Sequence, residues 1–168
     1  ANRLLLPPLL PTETSISLKS LIEPLIERAQ ARANLQGRKW FSPSKWPAWM
    51  ESKTISEGVI AEIVANLLEN AFRYSHDKAS IGIEVTQEGL CIWDEGNPID
   101  EKEREKIFEK GFRGESGSKM SGSGLGLALA RDLARQIGGD LKLVINPSQF
   151  KNSLPKSGNA FILNFEPK

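Results

Sequence analysis

The chain has 168 residues with 22 basic and 21 acidic side chains, a formal net charge of +1. That length suits one domain with one core, and the balanced charge gives no global field for a nucleic acid or an anionic membrane, so any phosphate binding must be local. One cysteine, Cys91, excludes an internal disulfide or a cysteine metal cluster; its run "LCIW" reads as core and fits a reducing compartment.

The apolar opening "LLLPPLLP" is cut by Pro7, Pro8 and Pro11 and is far shorter than the roughly 20 residues a membrane span needs. No targeting or transmembrane segment is visible, and the start at Ala1 without Met reads as a processed product or a fragment of something longer. Residues 1–17 are read as an extension or linker and 18–168 as the folded domain. A first helix is expected over Ser17–Gln36, stopped by Gly37, with Pro24 marking a start or kink inside it. "RKWF" suggests a short strand. "SPSKWPAWMESKT", with two of the four tryptophans, reads as a loop packed on the core.

A central helix follows from about Ser56 to Ser75, ending in "NLLENAFRYS". At about 100° per residue, Glu62, Asn66, Asn70 and Arg73 share a stripe roughly 80° wide, while Ile60, Val64, Leu67, Leu68 and Ala71 cover the opposite arc. An amide carbonyl is a neutral ligand for a hard cation such as Mg²⁺, which takes few protein oxygens, and an arginine one turn on would meet a phosphate. Taken alone, the stripe reads more readily as a solvated polar face, and the other motifs decide.

"SIGIEVTQEG" and "LCIWD" read as two strands joined near Glu88-Gly89. Asp94 closes the second, before Gly96, Asn97 and Pro98: a carboxylate there can accept from an exocyclic amine, and glycine admits a flat ring, although Asp-Glu-Gly is also a common turn. "DEKEREKIFEKGF" reads as a charged helix. "RGESGSKMSGSG" reads as a mobile loop. "GSGLGLALA", Gly122–Ala130, is a glycine-rich loop opening a helix and so an anion site or a linker. It is neither a P-loop nor a dinucleotide fingerprint, because no Gly-Lys-Ser/Thr follows, no strand precedes it and Leu127 occupies the place of the third glycine. The helix ends at Gly138-Gly139, and "DLKLVI" and "AFILNF" are two further strands. The order of elements argues for an α/β two-layer sandwich with a mixed, mostly antiparallel sheet and helices on one face.

In this order, "NLLENAFRYS", "DEGNP", "IFEKGFRG" and "GSGLGLALA" resemble the N, G1, F and G2 boxes of the catalytic ATP-binding domain of sensor histidine kinases, within the wider group that holds gyrase, the Hsp90 chaperones and MutL. The resemblance covers about Leu18 to Phe165. It implies the Bergerat (GHKL) fold, ATP and Mg²⁺ as cofactors, Asn66, Asn70 and Arg73 as catalytic residues, and Asn70 as metal ligand. It further implies Asn66 and Arg73 near the triphosphate, Tyr74 beside the nucleotide, Asp94 on the adenine amine and Gly96 beneath the ring. Gly122, Gly124 and Gly126 would hold the phosphates, Ile99, Phe108, Ser123, Leu125 and Leu127 would complete the nucleotide site, and the mobile loop would be the ATP lid. One departure stands out: Pro98 occupies the place of the last G1 glycine, which removes an N–H and backbone freedom and bears on nucleotide affinity.

In hydrolysing relatives a glutamate one turn before the metal asparagine activates water; here that position is Asn66, which favours transfer over hydrolysis. The only histidine, His76, directly follows the nucleotide helix and reads as a surface or cap residue. The implied acceptor is therefore a histidine on a separate dimerisation hairpin, with a response regulator beyond it. The isolated domain is expected to be a cytoplasmic monomer without nucleic-acid or membrane contact and inactive without its hairpin. The alternatives are a free-standing protein-serine kinase of the anti-sigma-factor type and, because of Pro98, a nucleotide-binding pseudokinase.

Overall fold

The computed structural model describes residues 16–53, 57–75, 78–109 and 126–165. The extension at residues 1–15, the lid over Arg113–Ser123, and His76 lie outside them, as does the side chain of Tyr74.

The first helix, α1 (Leu18–Leu35), starts where Ser17 Oγ accepts from the Ser20 amide at 3.2 Å, satisfying one of the amides a helix start leaves open. It runs through Pro24, which lies on its exposed side. Leu18, Leu21, Ile22, Ile26, Ala29 and Ala33 form the buried stripe. β1 is short (Trp40–Phe41).

The segment expected to be a loop contains a five-residue helix, α2 (Ala48–Ser52), entered through Pro47 and anchored by buried Met50. Proline is tolerated at a helix start because no intrahelical N–H is lost there. The long central helix is α3 (Glu57–Tyr74). Its buried residues include Ile60, Val64, Leu67, Leu68 and Ala71, the arc expected from the sequence.

β2 (Ile81–Thr86) and β3 (Gly89–Asp94) form an antiparallel hairpin around Gln87-Glu88. The charged stretch after it is not a helix over its described part: it makes two single 3₁₀ turns, Glu101–Glu103 and Lys106–Phe108. Only Phe108 of these six residues is buried, so no apolar stripe anchors a longer helix. Helix α4 (Gly126–Gln136) and strands β4 (Gly139–Val144) and β5 (Asn159–Phe165) complete the described chain.

The sheet order is β1-β2-β3-β5-β4, with β1–β2 parallel and the other pairs antiparallel. Alternation along the strands divides its faces. Ile83, Leu90, Ile92, Leu141, Phe161 and Leu163 join the helices in the main core, giving the mostly antiparallel sheet with helices on one face that the sequence implied. Cys91, Trp93, Ala160 and Ile162 face the other way and pack with Phe150 and Leu154 of the β4–β5 connection. Lys151 of that connection donates to Glu84 Oε2 at 3.1 Å and fastens it to the sheet.

Candidate functional site

The site is organised along α3. The Asn70 amide nitrogen donates to the Asn66 carbonyl one turn back at 2.9 Å, and the Asn66 nitrogen donates to the Glu62 carbonyl at 3.0 Å and to its carboxylate at 3.1 Å. With the nitrogens bonded to the preceding turn, the side-chain carbonyl oxygens are the atoms these amides can offer a hard cation. Among the described residues no group of three or more His, Cys, Asp or Glu side chains gathers as a metal cluster; amide oxygens are neutral donors of the kind that suits a hard cation keeping water and phosphate ligands.

The start of α4 closes on this stripe. A Cβ placed on Gly126 would lie 2.7 Å from Asn66 Oδ1, so only glycine lets the backbone come this near the amide. Leu127 is buried behind it. Two anchors hold α4 in place: Arg131 donates with two nitrogens to Glu105 at 3.0 and 3.3 Å and lies 4.4 Å over the Phe108 ring. The Arg131 bond holds the Glu105 carboxyl below its ordinary range. Phe108 itself sits in the core, edge-on to Phe161, and so ties the segment before the lid to the sheet.

At the other end of α3 lies Asp94, 2% exposed, on the helix-facing side of the last residue of β3. Its Oδ1 accepts from the Gly96 amide at 2.8 Å. A Cβ on Gly96 would stand 2.8 Å from that oxygen and 3.0 Å from Ser75 Cα, which brings the loop after β3 against the end of α3. Ile99 is half-buried and packs on the main core. Asn66 and Ser75 are nine residues apart, about 13 Å of helix at 1.5 Å per residue. The amide stripe and the buried carboxylate therefore mark two ends of an elongated site.

Arg73 donates to Glu69 Oε2 at 2.6 Å, and Arg32 of α1 donates to Glu69 Oε1 at 3.1 Å while lying 4.2 Å over Phe72. Burial works to raise the Glu69 pKa, but the hydrogen bonds and charges of Arg73 and Arg32 outweigh it and leave the carboxyl below its ordinary range. Three side chains that sequence reasoning missed support the site. Glu69 is one; buried Arg38 is the second, donating to Ser75 Oγ at 2.8 Å and to the Ser75 carbonyl at 3.3 Å, where α3 ends. The third, Asn159, is a buried polar residue at the start of β5 and the register partner of Asp94. Only an arginine or asparagine flanking an apolar run signalled the last two, which is too common a pattern to single out. Gly122, Ser123, Gly124 and Leu125 lie outside the described residues.

Residues 56–168 match the family described as histidine kinase-, DNA gyrase B- and HSP90-like ATPases. This match covers more than half of the chain, and the chain belongs to that family. Among curated relatives, the sensor histidine kinase Hik2 of Thermosynechococcus vestitus is 38% identical over 136 residues, 76% of this chain and 34% of its own length. The chain thus spans about a third of that relative. Among solved structures, the mycobacterial sensor histidine kinase MprB matches at 24% identity with a TM-score of 0.68, over 90% of this chain and 95% of its own. The catalytic domain of histidine kinase ThkA matches at 21% identity with a TM-score of 0.69, over 92% and 97%. The chain is homologous to the ATP-binding catalytic cores of histidine kinases, and its fold is theirs.

Proposed function

We propose that residues 18–168 form the catalytic ATP-binding domain of a sensor histidine kinase, which binds ATP with Mg²⁺ and donates the γ-phosphate to a histidine on a separate dimerisation hairpin. The observation that carries this reading is the close approach of Asn66 Oδ1 to the α4 backbone at Gly126, with Asn70 one turn further along α3 and about two and a half turns separating Asn66 from the helix end that meets buried Asp94. Asp94 accepts the adenine amine and Gly96 admits the ring. Asn66 and Arg73 face the triphosphate together with the amides at the start of α4, where the helix dipole favours negative charge. Asn70 would hold Mg²⁺, which would supply charge neutralisation to the triphosphate.

Asn66 gives the reaction its direction. An amide has no basicity at neutral pH, so nothing at that position activates water, and the phosphoryl group waits for an acceptor brought from outside. The response regulator is the downstream partner, and the cytoplasm, where ATP is available, is the compartment. Among the described residues no helix is long and apolar enough to cross a membrane.

The test supplies a purified histidine-bearing hairpin from the same full-length protein, with labelled ATP and Mg²⁺. Acid-labile phosphate should appear on the hairpin and none on this chain alone. Acid-labile phosphate on this chain alone, abolished by His76→Ala, would place the acceptor inside the domain and overturn the reading.

A further inference from the structure

Pro98 sits in the loop that follows Asp94, and the local structure is built around it. Asn159 is 2% exposed, and both the oxygen and the nitrogen of its side-chain amide are engaged. Oδ1 accepts from the Ile99 amide at 2.8 Å, and Nδ2 donates to the Asn97 carbonyl at 2.8 Å and reaches Asp94 Oδ1 at 3.5 Å. One side chain thus touches the residues on both sides of Pro98 and the buried carboxylate as well.

In an extended segment the carbonyl of one residue and the N–H of the second residue along point to the same edge, where a neighbouring strand would pair with both. Proline at the middle position has no N–H to present, and it biases the residue before it towards extended conformations. A side-chain amide carries a carbonyl and an N–H in one plane, so it can take the part of that neighbouring strand. Serine or threonine has a single O–H to donate and leaves one partner unmatched. Aspartate has no donor when ionised and would set a second carboxylate against Asp94.

We propose that Asn159 is a positioning residue that clamps the Asn97–Ile99 segment across Pro98, orients Asp94, and thereby sets the preference for adenine over guanine. This rests on the nucleotide-site reading above. A rigid proline with an amide clamp then replaces a glycine that relies on its own backbone, so Pro98 is compatible with a formed base pocket.

The experiment measures, by calorimetry with Mg²⁺ on the 168-residue chain, the affinities of non-hydrolysable ATP and GTP analogues and of inorganic tripolyphosphate. Asn159→Ala should weaken the ATP analogue roughly tenfold, the scale of one lost hydrogen bond to a charged partner, while the GTP analogue and tripolyphosphate shift less than about twofold. Asn159→Ser should fall between. The effect should be far less than additive with Asp94→Asn, because Asn159 acts through that carboxylate. A merely structural role would lower all three ligands together and leave the ATP to GTP ratio in place; that outcome in either variant overturns the proposal. Hydrogen exchange on the unmutated chain gives a second reading that needs no variant to fold: the Ile99 amide should be protected, and its exchange at the rate of an open loop overturns the clamp. Failure of the unmutated chain to bind the ATP analogue at all would instead overturn the nucleotide site itself, and is distinct from intact binding with an unmoved ratio.

Discussion

Asp94→Asn isolates the charge at the end of the site proposed to take the base. The replacement keeps the shape of a side chain that is 2% exposed, and an amide oxygen can still accept from the Gly96 amide at the 2.8 Å position, so the loop should stay folded. What changes is the second branch, which turns from a charged acceptor into a donor facing the donor of an adenine amine. A buried hydrogen bond to a charged group contributes about 1.5 to 3 kcal/mol, which corresponds to roughly 10- to 150-fold in Kd. Isothermal titration with a non-hydrolysable ATP analogue and Mg²⁺ reads this directly, and cooperative thermal unfolding confirms that the variant is folded. Affinity within about twofold of the unmutated chain would refute the assignment of Asp94 to the adenine amine.

Asn70→Ala should remove most of the Mg²⁺-dependent part of nucleotide affinity and leave metal-free binding near its original value; equal losses with and without Mg²⁺ would indicate a packing defect instead. Gly126→Ala puts a methyl group 2.7 Å from Asn66 Oδ1, so titration should show weaker triphosphate binding with little change for adenosine, and an unaltered triphosphate affinity would contradict the close approach of α4. Burial, with Glu84 and Asp94 nearby, pushes the Cys91 thiol well above its ordinary range, so a disulfide reagent at pH 8 should modify it only as fast as the domain opens. Rapid stoichiometric modification of the folded chain would count against that burial. Asn66→Glu should raise ATP hydrolysis at saturating nucleotide, a condition that separates turnover from any loss of binding caused by charge repulsion; unchanged turnover would detach the lack of a base from the choice of transfer over hydrolysis.

The parts of the fold legible in the sequence were those where burial imposes a period. The arc of α3 from Ile60 to Ala71 is buried on the face its spacing indicated, and the β2–β3 hairpin and the β5 strand form where their apolar, β-rich runs indicated, buried on both faces. The charged stretch after Pro98 misled because helix-forming residues there lack an apolar stripe, and propensity without burial does not sustain a helix. Residues Ala48–Ser52 were missed for the opposite reason: prolines and tryptophans read as loop, yet Pro47 starts a turn of helix that buries Met50. The amide stripe and Asp94 were singled out by their motifs. Arg38, Glu69 and Asn159 were not: they work through Ser75, Arg32 and Asp94, which lie 37, 37 and 65 positions away, and no local pattern encodes such pairs. The i,i+4 spacing of Glu69 and Arg73 by itself reads as an ordinary surface pair.

The three side chains missed by sequence reasoning have a common role that bears on how this site works. Arg38 fixes the end of α3 through Ser75, Asn159 fixes the loop carrying Ile99, and Glu69 holds Arg73 and Arg32 on one carboxylate. A fixed array of donors and acceptors costs no reorganisation when a ligand arrives, which is where much of the affinity of a polar site originates. Glu69 is different in kind from the other two. It is nearly half exposed, and its carboxylate competes for the same guanidinium that a triphosphate would attract. With two arginines on one carboxylate, the cluster keeps a net positive charge even while Arg73 is held, so the phosphate end remains attractive to an anion and Arg32 can retain Glu69 if Arg73 turns to a phosphate. On the reading proposed above, Arg38 and Asn159 would frame the end that takes the base, and the Arg32–Glu69–Arg73 cluster would offer an exchangeable positive charge to the phosphates.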